Sequence, residues 1–155
     1  MKKIFCAVFI LALLLPAIAF GAVAPGTVTI SYDSPSDNTL VVTFSCVGSA
    51  DDGSFPATST SATTLRGFYI TEVRTNPGST APQADYDIAI NDSDGIDLMG
   101  GTLANRSATL SERAVPLLTT GAYGVTPIDG AITLAVTGNN VHSAITVVKV
   151  FLLKF

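Results

Sequence analysis

Residues 85–98 read DYDIAINDSDGIDL. Up to Asn91 the stretch has a period of two, with Tyr86, Ile88 and Ile90 on one side and Asp85, Asp87 and Ala89 on the other. Successive side chains of an extended chain point to opposite faces, so the pattern predicts a strand with one apolar face. Ser93-Asp94-Gly95 then fits a three-residue hairpin loop, a type I turn closed by glycine in the left-handed region. That register sets Ile90 opposite Leu98 and turns Asp97 outward with Asn91. A calcium loop is the competing reading of the same acids. With Gly95 at the sixth position of an EF-hand loop, Asp94 and Asp92 fall on the fifth and third. Ile90 and Gly101 then occupy the first and twelfth, where oxygen ligands are required. What remains is a weak surface calcium candidate formed by Asp92, Asp94 and Asp97.

Outward from this hairpin the same grammar repeats. TVTISY (27–32), TLVVTFSC (39–46), LRGFYITEVRT (65–75), GAITLAVTG (130–138) and SAITVVKVFLLKF (143–155) are rich in Val, Ile, Thr and aromatics and read as strands, with Gly67 a bulge candidate. Turn formers separate them: DSPSDN, GSADDGS, TNPGSTAPQ and TGNN. The predicted fold is all-β, a single antiparallel β-sandwich of jelly-roll or Ig-like type. Only GGTLANRSATLSERAVP (100–116) resists a strand reading. There Thr109 and Glu112 have the spacing of a capping box for one helical turn, which Pro116 would stop. The polar run DDGSFPATSTSATT (51–64) is expected to be a mobile loop. Cys46 shares the face of Leu40, Val42 and Phe44, as a small buried hydrophobe would.

The chain opens on MKKIFCAVFILALLLPAIAFGAVAPG. Two lysines, a short apolar run, Pro16 and small residues have the layout of a cleaved secretory leader, assigned to residues 1–21, with the β-domain occupying 22–155. Beyond the leader six Lys and Arg face twelve Asp and Glu, a net charge of −6. Such a balance repels phosphate backbones, so nucleic acid is not an expected partner. Cys46 is the one cysteine after the leader, so the fold must hold by packing, without an internal disulfide.

Catalytic constellations are not evident. His142 is the single histidine and falls in a turn. Asp85 and Asp87 would share a solvent face, where a raised pKa is not expected. No Gly-x-Ser-x-Gly elbow, Cys/His zinc set or phosphate loop stands in the sequence. No enzymatic activity and no cofactor are expected. The closing run places Ile145, Val147, Phe151, Leu153 and Phe155 on one face and Val148, Val150 and Leu152 on the other. A strand apolar on both faces is covered on both, within the fold or by a partner chain. Phe151, Leu153 and Phe155 are therefore interface candidates for a homo-oligomer or a larger structural assembly. Two alternatives compete. The terminal phenylalanine suits an outer-membrane barrel, although Lys149 interrupts its lipid-facing series. A carbohydrate-binding or adhesin module would use Tyr69 or Tyr123.

Residues 73–117, VRTNPGSTAPQADYDIAINDSDGIDLMGGTLANRSATLSERAVPL, resemble a group of small, poorly characterised proteins encoded among the structural genes of tailed bacteriophages and prophages. The likeness runs through Pro77, Gly78, Thr80, Ala81 and Pro82, then Tyr86 and Asp87, Asp94 and Gly95, Gly100 and Gly101, and Asn105 and Arg106. The GAITLAVTGNN segment and the closing apolar strand extend it over roughly residues 65–153. The resemblance implies a virion-associated decoration or tail component without enzymatic activity. Asn105 and Arg106 join the interface candidates beside it. The leader departs from that group, whose members assemble in the cytoplasm. The combined expectation is an exported structural or binding domain (periplasm, cell surface or medium), with the phage particle as the alternative location and no stable membrane insertion after leader cleavage.

Overall fold

The computed structural model describes residues 24–155, so the leader at 1–21 and the start of the domain at residue 22 lie outside the described residues. Eleven strands follow: β1 (Thr27–Ser36), β2 (Thr39–Val47), β3 (Thr58–Ser59), β4 (Tyr69–Pro77), β5 (Asp87–Asn91), β6 (Glu112–Ala114), β7 (Leu117–Thr119), β8 (Ala122–Tyr123), β9 (Thr126–Pro127), β10 (Thr133–Thr137) and β11 (Ile145–Leu153). One antiparallel sheet has the order β1-β2-β11-β4-β6, with β9 also on β4. A second runs β3-β10-β5, and β7-β8 is a separate hairpin. The two main sheets pack as an all-β sandwich. The large sheet ends on β1 at one side and on β6 and β9 at the other, so its strands do not close into a barrel.

The period-two residues make the core. Leu40, Val42, Phe44 and Cys46 of β2 and Val148, Val150 and Leu152 of β11 are buried against Tyr86, Ile88, Ile90, Ile132, Leu134 and Val136. Full burial of each larger apolar side chain is worth about 1.5–3 kcal/mol, so this shared layer dominates the stabilisation. The Tyr86 hydroxyl, carried into the same layer, lies 3.0 Å from Thr146 Oγ1, and each satisfies the other. Burial of the Tyr86 ring raises its pKa.

The hairpin after β5 has the predicted register. Asn91 bridges Asp97, the Leu98 amide donates to the Ile90 carbonyl at 2.8 Å, and Gly95 has φ +84°. Asp97 departs from expectation. Its carboxylate does not point away with Asn91 but turns back to accept from the amides of Met99 (3.0 Å) and Gly101 (2.7 Å).

Elsewhere the local reading needs correction. Gly67, at φ +83°, lies in the turn before β4, and the bulge falls instead at Thr71, between Glu72 opposite Phe151 and Ile70 opposite Leu152. The Thr71 hydroxyl donates to the Phe151 carbonyl at 3.0 Å. β1 runs on through Pro35 to Ser36, into the DSPSDN run of turn formers. An edge strand tolerates the missing amide. No helical turn forms at Thr109–Glu112. The Ser107 hydroxyl accepts from the amides of Thr109 and Leu110, and Glu112, on β6, accepts from the Ser107 amide at 2.7 Å. The 51–64 run is anchored: Thr58–Ser59 pairs with β10, and buried Thr60 accepts from the Ile132 amide at 3.0 Å.

Candidate functional site

β11 lies in the middle of the large sheet, flanked by β2 and β4 along nearly its whole length. Its edges are therefore taken, and only the face turned away from the core is free to meet another molecule. That outer face carries Ile145, Val147, Lys149, Phe151 and Leu153, the four apolar members half-buried. Val41 stands opposite Phe151 on β2, and Tyr69 stands opposite Leu153 on β4. Beyond the strand Phe155 is 81% exposed, its ring edge-on to Tyr69 at 5.2 Å between centroids. A depression of about 310 Å³ between Pro35, Val41, Thr71, Phe151 and Leu153 continues this apolar end. Residue 145 is different, because the Pro77–Pro82 turn closes over it. The Gly78 amide donates to the Ile145 carbonyl at 2.8 Å, and the Ile145 amide donates to Thr80 at 2.6 Å.

At the middle of the strand the face becomes charged. Lys149 is opposite Arg74, and Arg74 is opposite Arg113. Glu72 pairs with Arg74 and lies 3.7 Å from Arg113. The Arg74 guanidinium sits 4.4 Å over the Phe151 ring, which fixes its plane. This row went unread in the sequence because its members are far apart in the chain and only strand register assembles them. Arg113 also fell within the expected helical turn. The signal that existed was a cation at an outward position within each of two apolar strands, at Arg74 and Lys149.

The remaining candidates separate from this face. Asn105 and Arg106 have Tyr86, Asp87, Ala104 and Glu112 as partners, not the β11 residues. The Asn105 amide donates to Asp87 Oδ1 at 2.9 Å, and the Arg106 guanidinium donates to the Ala104 carbonyl and lies 3.8 Å from Glu112. Both close a loop. The calcium candidate is not assembled either. Asp92 Oδ1 accepts from the amides of Asp94 and Ile96 at 2.9 and 2.8 Å, and Asp97 serves the loop at 99–101. Among the described residues no three His, Cys, Asp or Glu side chains come together as a metal-binding group. Asp85, at φ +62°, precedes β5 instead of sharing its face with Asp87. His142 is exposed in its turn. Cys46 is buried, and burial pushes its thiol up to about 12. Among the described residues no helix is long and apolar enough to cross a membrane.

Comparison of the chain with protein families, with curated proteins and with solved structures found no match.

Proposed function

We propose that this chain is an exported, non-enzymatic β-domain of the tailed-phage virion type, whose work is binding and self-association. The observation that carries the reading is the apolar end of the large sheet's outer face. Phe151, Leu153 and Phe155 stand there beside Val41 and Tyr69 on the side that the core does not use. A second copy suits this surface because it brings an equally flat, apolar strand face. A two-fold contact sets like residues near one another. A contact centred at Leu153 and Phe155 keeps the arginines of the two copies at its periphery. The long edge strand β1 gives a further surface by which copies can be added.

The test is to express the full chain in a bacterium, separate cytoplasm, periplasm, membrane and medium, and measure the mass of the soluble product by size exclusion with light scattering. A shortened, oligomeric protein outside the cytoplasm, converted to monomer by Leu153→Lys, is the expected result. A wild-type monomer at tens of micromolar or above, where contacts of about −6 kcal/mol would already be populated, sinks the self-association. An uncleaved cytoplasmic product would instead return the chain to assembly within a phage particle.

A further inference from the structure

Lys149, Arg74 and Arg113 stand directly opposite one another on three neighbouring strands. Strands lie about 4.8 Å apart, so the three charges span about 10 Å across the sheet. Like charges in opposed positions destabilise a sheet. The segment after the leader has six cations against twelve acids, yet half of those cations stand in this one row. A single carboxylate, Glu72, serves both arginines. Glu112 is committed to the Ser107 amide and to Arg106. The row keeps a surplus of two positive charges that the fold does not need for its packing.

Two depressions meet at this row, of about 380 Å³ and about 570 Å³, and Arg113 lines both. The first adds Arg74, Asn76, Lys149, the Phe151 ring and Glu112, whose carboxylate is already engaged by the Ser107 amide and Arg106. The second adds Thr102, Tyr123 (a residue 63% exposed on the β7–β8 hairpin) and Glu72, the carboxylate shared by Arg74 and Arg113. Guanidinium forks match the geometry of a carboxylate, and an exposed aromatic face matches the apolar face of a sugar ring. Side-chain amide and hydroxyl groups beside them suit sugar hydroxyls.

We propose that this groove binds an acidic oligosaccharide, with a uronate carboxylate held by Arg74 and Arg113 and a pyranose ring laid on Tyr123. A long polyanion such as nucleic acid meets the negative remainder of the surface, whereas a short acidic sugar is recognised within the row. At about 0.15 M salt the Debye length is about 8 Å, so recognition is local. Stacking of Arg74 on Phe151 holds one guanidinium before the ligand arrives, which lowers the ordering cost of binding.

Calorimetric titration of the mature protein with trigalacturonic acid, maltotriose and inorganic sulfate tests this. Trigalacturonic acid should bind at one site per chain, with maltotriose and sulfate at least about tenfold weaker. R113Q and Y123S should each weaken it about tenfold while leaving the melting temperature in place. L153K should leave sugar binding intact, so that failure of self-association and failure of this site are told apart. Equal affinity for sulfate would overturn the proposal in favour of a bare oxyanion site. Unchanged binding in both R113Q and Y123S, or no binding of trigalacturonic acid, would also overturn it.

Discussion

Asp97 illustrates how much one side chain can hold. Its two carboxylate oxygens accept from the amides of Met99 and Gly101, and the Ile90 amide lies 3.4 Å away, so one residue ties the returning arm of the hairpin to the loop that follows. Asp97→Ala removes the acceptor of the partly buried Met99 amide and should cost about 1–3 kcal/mol, read as a lower urea midpoint at constant slope. Asp94, at the exposed tip, should change stability by less than about 0.5 kcal/mol when replaced by alanine. Comparable losses in the two would show that the Asp97 contacts contribute nothing special. Cys46 gives a second test at this scale. With its thiol pushed up to about 12 by burial, the native protein should resist iodoacetamide at pH 8 and react only once unfolded. Rapid native labelling would mean that β2 opens readily.

At the level of elements, the segments between strands are as ordered in their logic as the strands. Gly95, Gly100 and Gly101 all have positive φ, and so does Asn105. Each permits a backbone path that an ordinary side chain would resist. Gly100, Gly101 and Asn105 thus let the chain turn around Met99 and Leu103, both fully buried. Gly100 is the sharper case, because a Cβ there would collide with the Leu117 carbonyl oxygen, while Gly101 faces open space. Gly101→Ala should cost about 1–2 kcal/mol from the left-handed conformation alone. Gly100→Ala should cost measurably more in the same denaturation experiment, and equal costs would show that the loop relaxes freely around Leu117. The β4 bulge at Thr71 acts at this scale too, since it shifts Ile70 and Tyr69 by one position relative to β11. Ile70 then faces the core and Tyr69 the outer side, where it meets Phe155.

For the whole molecule, the sandwich divides its strands between two kinds of work. Inner faces supply cohesion, and Phe44→Ala in that layer should cost about 3–5 kcal/mol by thermal or urea unfolding. A loss below about 1 kcal/mol would mean that the two sheets can close over the gap. The outer face of the large sheet carries the apolar cluster of Val41, Tyr69, Phe151 and Leu153 at one end and the row Lys149–Arg74–Arg113 across its middle. The six longer strands (β1, β2, β4, β5, β10 and β11), their inward residues, the hairpin at Ser93–Gly95 and the buried state of Cys46 were legible in the chain, because each depends on near neighbours and on the alternation of an extended backbone; β3, β6, β7, β8 and β9, of two or three residues each, were not. The loop core of Phe55, Met99 and Leu103 was not either, since apolar residues scattered through loops have no period to betray them. The central place of β11 was one of two readings that the chain left open, since a strand apolar on both faces is covered within the fold or by a partner. The row Lys149–Arg74–Arg113 was equally hidden, because its members come from strands that only long-range pairing brings side by side. Local periodicity determined which residues point inward; tertiary register alone decided which outward residues became neighbours.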